Sequence, residues 1–521
     1  MNTVMLVSLI LCAAIAIWGV ADPDSMTGSA QWLVNYSLTA LDWYFLALCT
    51  GFLVIMGYMA FSRYGDIKLG DDDDEPEFST GSWVAMLFAA GMGSGLLFWG
   101  VAEPIYHFAT PPVGEAETAT AARNAMVITN FHWGLHAWSI YGCCALVIAY
   151  FTFRLKLPSM VSTPILVGFK NVFGPKTLKQ IGNTSDILAV IAVIFGLAGS
   201  LAMGTLMVRS GMAAVFDTSQ DVTMSMIIIV VMTICFLLSA CTGVDKGIKI
   251  LSNINMIVAI MILLVVLFGG PTAYLFQSFI YAIGDYLIQL IPMSFKTYAY
   301  TPAGSWNWFH GWTLTYLIWW LAWGPFVGIF IARISRGRTI REFVTYVVGV
   351  PTIVSMLWFA AFGGAAIHIE LFGAGGITEN VFADVAGALF VFFEYFPGTT
   401  LLNFLAVCLI FIFLVTSADS GTFVISMMTS RGSLNPSTRL KLTWGLIITG
   451  ITVATIVTES VKVAKVMAIT GAIPFTFIII MQLAAFFRVV REDPKVREKH
   501  TEVRPVASDE TDSSAAQEVS S

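Results

Sequence analysis

The most distinctive chemistry in this sequence is carried by aromatic residues. Trp319-Trp320-Leu321-Ala322-Trp323 places three indoles within five positions, and Trp319 and Trp323, four apart, share one face of a helix. A second group reads Phe131-His132-Trp133-Gly134-Leu135-His136-Ala137-Trp138-Ser139-Ile140-Tyr141. In it Trp138 and Tyr141, three apart, again share a face, and Trp133 lies more than a turn away. Aromatic faces hold quaternary ammonium groups by cation–π attraction, which suits a cation that cannot donate a strong hydrogen bond. Each ring taken singly reads as an interface anchor or a packing residue. Taken together, beside the helix breaks described next, they read as a substrate cage.

Two stretches contain glycine or proline where a membrane helix should continue. Gly91-Met92-Gly93-Ser94-Gly95, followed by Gly100 and Glu103-Pro104, has glycines at alternate positions and favours local unwinding. Free backbone groups survive at membrane depth only beside protein or a watery cavity, and discontinuous helices are where many secondary transporters bind substrate and ions. Close helix packing through small residues is the competing reading. Gly324-Pro325, with Gly328, predicts a second interruption about 230 residues later. Two interrupted spans, each followed by four more, imply a five-plus-five repeat of inverted topology.

Oxygen ligands are offered by Phe413-Leu414-Val415-Thr416-Ser417-Ala418-Asp419-Ser420-Gly421-Thr422. Adjacent hydroxyls and nearby carbonyls suit Na⁺, although helical Thr and Ser commonly bond their own backbone instead. Asp419 is costly within a span and reads as a hydrogen-bonding residue rather than a direct ion ligand. His132, His136 and Glu103 are treated in the same way. No His/Cys cluster has metal-site spacing, and no nucleophile motif or phosphate-binding loop appears, so the chain is read as a non-enzyme without an organic cofactor. The acidic run Asp71–Glu75 reads as a solvated loop, since one run offers no convergent shell of ligands.

These residues must be held by a membrane protein. Of 521 residues, 57% are hydrophobic and 12% charged, with a mean hydropathy of +0.80. A soluble enzyme, a disordered chain and a nucleic-acid binder are poor readings of that balance. Long apolar runs indicate helices rather than a β-barrel. The seven cysteines lie in or beside apolar runs and read as packing residues. Residues 4–20 read as a retained first span rather than a signal peptide.

About twelve runs can cross a bilayer: 3–20, 40–62, 81–101, 125–152, 183–208, 223–241, 250–269, 308–332, 342–364, 399–428, 439–458 and 464–487. Residues 160–174 and 272–291 read as short or interfacial helices, and 379–397 as an external loop. With the N-terminus in the cytoplasm, 22 of the 27 Lys and Arg residues fall on the cytoplasmic side and five on the other. That asymmetry is what the positive-inside rule demands, and it puts both termini in the cytoplasm. The organisation is then 1–80, two leading helices and an acidic loop; 81–271, the first repeat; 272–307, a connector; 308–487, the second repeat; and 488–521, a polar tail.

The sequence resembles the betaine/choline/carnitine transporter family. The resemblance rests on Gly91-Met92-Gly93-Ser94-Gly95, on Trp99-Gly100-Val101-Ala102-Glu103-Pro104, and on Trp319 to Gly328 running into Ala332-Arg333-Ile334-Ser335-Arg336-Gly337-Arg338-Thr339-Ile340-Arg341-Glu342-Phe343. It implies an all-α, LeuT-like fold of two leading helices and ten repeat-forming spans, a homotrimer, and a multi-pass location in a bacterial-type plasma (inner) membrane. It also implies an aromatic box of Trp133, Trp138, Tyr141, Trp319, Trp320 and Trp323 beside Gly91, Gly93 and Gly95. Sodium-coupled members imply Na⁺ between Ala89 and Met92 on one side and Phe413, Thr416 and Ser417 on the other. A second Na⁺ site of the family uses span-five hydroxyls, and in Gly196-Leu197-Ala198-Gly199-Ser200 only Ser200 offers one. Proton-coupled choline carriers of the family tend to have Asp where this chain has Gly95, which favours a zwitterion such as glycine betaine. Dimethylsulfoniopropionate, whose sulfonium disperses its charge similarly, is a further substrate expectation. Proton-coupled choline import and substrate–product exchange are the alternatives within the family; a channel or transporter-like receptor is the alternative outside it.

Overall fold

A computed structural model describes residues 2–91, 93–242 and 245–496, with the side chains of 88–91, 242 and 245–251 set aside. The described chain is helical, and its one isolated β-bridge joins Lys68 to Thr339. Among the described residues, eleven helical segments are long and apolar enough to cross a membrane: Thr3–Ala21, Pro23–Phe61, Ala119–Arg154, Pro175–Phe216, Val222–Cys241, Ser252–Gly269, Ala303–Ile334, Ile340–Phe372, Thr399–Thr429, Thr438–Ile456 and Val461–Val490. The remaining expected span, the third, is split into Thr80–Gly91 and Ser94–Ala109, each too short to cross alone. The spans are numbered in chain order, so the broken pair is span three and Val461–Val490 is span twelve.

Two spans are much longer than their apolar runs. Span two starts at Pro23, with Asp22 accepting a capping bond from Ser25 N at 3.0 Å, and kinks at Leu41. Span five is a single helix of 42 residues, Pro175–Phe216. The connector is the helix Thr272–Ser294, and the stretch read as an external loop contains short helices at Ile377–Ala383 and Ala388–Phe393.

Packing follows the expected five-plus-five order. Span eight lies along span four, as span three lies along span nine. Span five meets spans eleven and twelve, as span ten meets spans six and seven. Spans five and ten pack on each other, as do spans six and eleven. Exchanging each span with the one five places away maps this set of contacts onto itself. Consecutive crossings alternate in direction, so the two halves run in opposite senses.

The expected interruption at Gly324-Pro325 is not present. The helix Thr315–Ile334 runs through it, and the irregular turn of span eight is a π-helical turn at His310–Leu314. The glycines serve packing instead: a Cβ on Gly324 would stand 2.9 Å from Cys144 Sγ, and one on Gly328 2.9 Å from Cys144 Cβ. Conversely, span four breaks where none was expected. Its helix stops at Trp133 and restarts at Leu135 around Gly134 (φ −96°, ψ −135°). The freed Leu135 N–H donates to the Tyr286 hydroxyl at 2.9 Å, and a Cβ on Gly134 would meet that hydroxyl at 2.8 Å.

Charged loops collect at the two ends of the bundle. At one end the acidic run is held by cations: Asp71 pairs with Lys156, Asp72 with Arg154 and Asp74 with Arg336. The Arg154 guanidinium beside Asp72 holds its carboxyl below the usual carboxylate range. The loop is therefore docked, not simply solvated. Leu69 and Gly337 extend the contact by backbone bonds, Leu69 N to Arg338 O at 2.8 Å and Gly337 N to Leu69 O at 2.9 Å. Gly337 has φ +81°, and a Cβ there would stand 2.3 Å from Glu75 O. Arg154 also grips the buried Asp493 through two 3.0 Å bonds, and Tyr150 donates to the same carboxylate at 3.0 Å. At the opposite end Arg123 pairs with Asp285, Arg209 with Glu459, and the Ser210 hydroxyl donates to Asp384. The grouping of the loops agrees with the expected topology.

Asp493→Ala leaves Arg154 and Tyr150 without this acceptor. The expected loss is on the order of 3 kcal/mol, read as a lower unfolding midpoint of purified protein in detergent. Asp493→Asn, which keeps an acceptor, should fall between Ala and wild type.

Candidate functional site

The break in span three, the aromatic segments of spans four and eight, and the hydroxyl segment of span ten line one cavity of about 800 Å³. The cavity reaches Arg333 and Lys441, toward the end where the acidic loop docks. It is closed at the opposite end by Trp99 and the rings packed on it.

Spans three, four and eight supply the rings. Trp133, Tyr141, Trp319, Trp320 and Trp323 line the cavity, and Trp138 stands behind Tyr141, edge-on at 5.8 Å. Trp320 is the hub. Trp133 meets it edge-on at 4.9 Å, Tyr141 edge-on at 5.6 Å, and Trp319 lies stacked at 6.3 Å. Edge-on neighbours leave ring faces available to a third group, which is the geometry a cation requires.

Two indoles are anchored from behind. Trp320 Nε1 donates to His132 O at 2.8 Å, the carbonyl one residue before Trp133. Trp133 Nε1 donates to Glu103 Oε2 at 2.7 Å. Glu103 Oε1 lies 2.6 Å from His132 Nδ1 and 3.3 Å from His107 Nε2, and all three side chains are fully buried. His132 Nε2 lies 2.9 Å from Thr313 Oγ1. A carboxylate accepts only, so the network assigns the His132 proton to Nδ1 and leaves Nε2 to accept from the Thr313 hydroxyl. The chain of bonds ties spans three, four and eight together at the cage.

The reading of the sequence missed this cluster. Glu103 and His107, four apart on one helix, were legible as neighbours; His132 joins them through packing. The three could in principle face a metal, their ligand atoms lying within 4.8 Å of one another. The 2.6 Å spacing between Glu103 and His132 is that of a hydrogen bond, and Trp133 and Thr313 complete it as such.

Gly95 explains its own residue type. A Cβ there would stand 3.2 Å from Cη2 of Trp133, so a larger side chain would press on the cage. Gly93 and Gly95 line the cavity with the first turn of the helix Ser94–Ala109. Gly93 is extended (φ −104°, ψ −174°), and its carbonyl accepts from Leu96 N at 3.2 Å, which helps satisfy the backbone at the break. Gly91 ends the preceding helix. Met92 lies outside the described residues, as do the side chains of Ala89 and Gly91.

Phe413, Thr416, Ser417 and Asp419 line the cavity from span ten. The Thr416 hydroxyl donates to the carbonyls of Ile412 at 2.9 Å and Phe413 at 3.1 Å, as helical Thr commonly does. Its oxygen lone pairs remain for a hard cation. Ser200 also lines the cavity and donates to Gly196 O at 2.9 Å. Trp99 and Trp319 line it too, each with a buried indole N–H that has no partner among the described residues. Unpaired buried donors are costly, and a ligand oxygen would satisfy them.

A sequence profile described as betaine/carnitine/choline family transporter matches residues 3–495. The glycine betaine transporter OpuD of Bacillus subtilis (strain 168) is 39% identical over 493 residues, covering 94% of this chain and 95% of that one. The ectoine/hydroxyectoine transporter of Virgibacillus pantothenticus is 41% identical over 505 residues, covering 96% and 99%. The osmo-dependent choline transporter BetT2 of Acinetobacter baylyi (strain ATCC 33305 / BD413 / ADP1) is 33% identical, covering 94% of this chain and 71% of that one.

Gly95→Val forces the Trp133 ring to move. Ligand affinity, read by tryptophan fluorescence titration, is expected to fall at least about tenfold, the equivalent of ~1.4 kcal/mol. Gly95→Ala, whose single methyl needs only a few tenths of an ångström, should stay within a few-fold of wild type.

Proposed function

The chain belongs to the betaine/carnitine/choline transporter family, and on that premise we propose that it imports a glycine betaine-like zwitterion by Na⁺-coupled alternating access. The observation that carries this reading is the shared cavity: a ring cage for a dispersed positive charge opens beside the first turn of a broken helix. The zwitterion's ammonium or sulfonium group sits among Trp133, Tyr141, Trp319, Trp320 and Trp323, with Trp138 supporting Tyr141. Its carboxylate takes the N–H groups at Ser94 and Gly95, where the helix dipole favours negative charge. The unpaired indole N–H groups of Trp99 and Trp319 add donors of the right kind.

Na⁺ travels with the substrate. Phe413, Thr416 and Ser417 supply oxygens from span ten, and the segment carrying Ala89 and Met92 supplies the other side. A cavity that reaches one side, with the opposite end sealed by aromatic packing, suits one half of an alternating-access cycle. With the basic end in the cytoplasm, that state is inward-facing and both termini are cytoplasmic. A bacterial-type inner membrane and a homotrimer complete the reading.

Ectoine and dimethylsulfoniopropionate fit the same two-ended recognition. Proton-coupled choline import fits less well: choline has no carboxylate for the N–H groups, and a side chain longer than one methyl at Gly95 would press on Trp133.

Uptake of radiolabelled glycine betaine into proteoliposomes tests the proposal. Replacing external Na⁺ with K⁺ should abolish accumulation against a gradient; unchanged accumulation removes sodium coupling. Trp320→Ala removes the hub of the cage and should lower substrate affinity by at least about tenfold. Wild-type affinity in that variant removes the cage from Trp320.

A further inference from the structure

Above the cage, at the sealed end, lies a cation that the transport reading does not use. Lys465 is in the first helix of span twelve, Val461–Thr470, and is half-buried. A lysine near a helix end ordinarily extends its ammonium into water. This one turns onto rings. Its Nζ lies 4.2 Å from the centroid of Trp312, 5.1 Å from Trp99 and 5.7 Å from Tyr316. It also donates to the carbonyl of Gly311 at 3.2 Å, within the π-helical turn His310–Leu314.

Trp99 roofs the cavity, and Trp312 and Tyr316 pack on it. Trp99 packs edge-on to Trp312 at 5.7 Å and to Tyr316 at 6.0 Å. Trp99 also lines the cavity, and Tyr316 touches Trp133 at 5.6 Å and Trp319 at 5.8 Å. The roof is therefore continuous with the cage. A substrate that arrives when this end opens meets Trp99, Trp312 and Tyr316 before Trp320, and meets Lys465 with them.

We propose that Lys465 is a specificity-determining residue, a fixed positive charge on the outer rings that disfavours net cations and admits zwitterions. The inference rests on the reading of the cavity as a site for a betaine-like zwitterion. Rings alone do not distinguish choline from glycine betaine, since both present a trimethylammonium group to an aromatic face. A tethered ammonium does. It occupies the rings that a bare cation would use and repels its charge at close range. A zwitterion carries no net charge, and its carboxylate is attracted to the same ammonium that repels its other end. The Glu103 carboxylate, which accepts from His132, Trp133 and His107, keeps its negative charge and attracts the Lys465 ammonium toward the rings.

The test compares choline with glycine betaine in proteoliposomes containing the full chain. Uptake of each is measured, together with choline inhibition of betaine uptake. Lys465→Gln and Lys465→Met remove the charge at similar length and should raise the choline-to-betaine ratio of Vmax/KM about tenfold. Choline should also become a correspondingly better inhibitor. Lys465→Arg retains the charge and should keep the wild-type ratio. A ratio within twofold of wild type in both neutral variants overturns the proposal. So does an equal fall in uptake of both substrates, which is what a purely structural lysine would give. Failure of the wild-type protein to transport glycine betaine overturns this proposal together with the substrate reading, and is distinct from an unchanged ratio.

Discussion

Hydrocarbon offers no hydrogen bonds, so every departure from a continuous helix in this protein must find a partner inside the protein. That constraint shapes the site. The helix that restarts at Ser94 presents its first turn to the cavity, and its Leu96 N–H turns back to the Gly93 carbonyl. Span four can break at Gly134 because the Tyr286 hydroxyl takes the freed Leu135 N–H. The π-helical turn in span eight has one of its carbonyls, that of Gly311, in contact with Lys465. Backbone that would be too costly facing lipid is usable where it faces protein or the cavity.

The same economy governs the charges. Glu103 is fully buried, and the cost of taking it from water is offset by three donors, one of which is the indole of a cage residue. The carboxylate thus does two things through one set of bonds: it is stabilised, and it fixes the plane of Trp133. Trp320 is fixed likewise through the His132 carbonyl. A cage built from anchored rings loses little entropy when a ligand enters, which is where preorganised sites gain affinity.

The ease of reading these features from sequence follows how local their causes are. The break at Gly91–Gly95 was legible because alternating glycines weaken a helix wherever they stand. Gly324-Pro325 looked similar, yet those glycines admit Cys144 of span four, so the helix continues. Gly134 carried no local signature: its break depends on Tyr286, 151 residues from the donor it serves. The acidic run looked solvated because Arg154 and Arg336, which hold it, lie 82 and 262 residues away from their partners. The rings were legible as a set, but which would face the cavity was not; Trp138 shares a face with Tyr141 and still ends up behind it. Helices and topology depend on local periodicity and charge, whereas the polar network of the site depends on contacts between distant segments.

Span five has a mechanical consequence. Its 42 residues form one uninterrupted helix, about 63 Å long at 1.5 Å per residue, roughly twice the hydrocarbon thickness. Glycines along it allow other elements to press directly on its backbone: Ala322 at Gly196, Ala464 and Ala468 at Gly199, Leu414 at Gly204 and Val407 at Gly211. A rod of that length acts as a lever. A tilt of ten degrees about its middle carries each tip about 5 Å, in opposite directions. Because its bearings belong to spans eight, ten and twelve, such a tilt would shift contacts to all three at once.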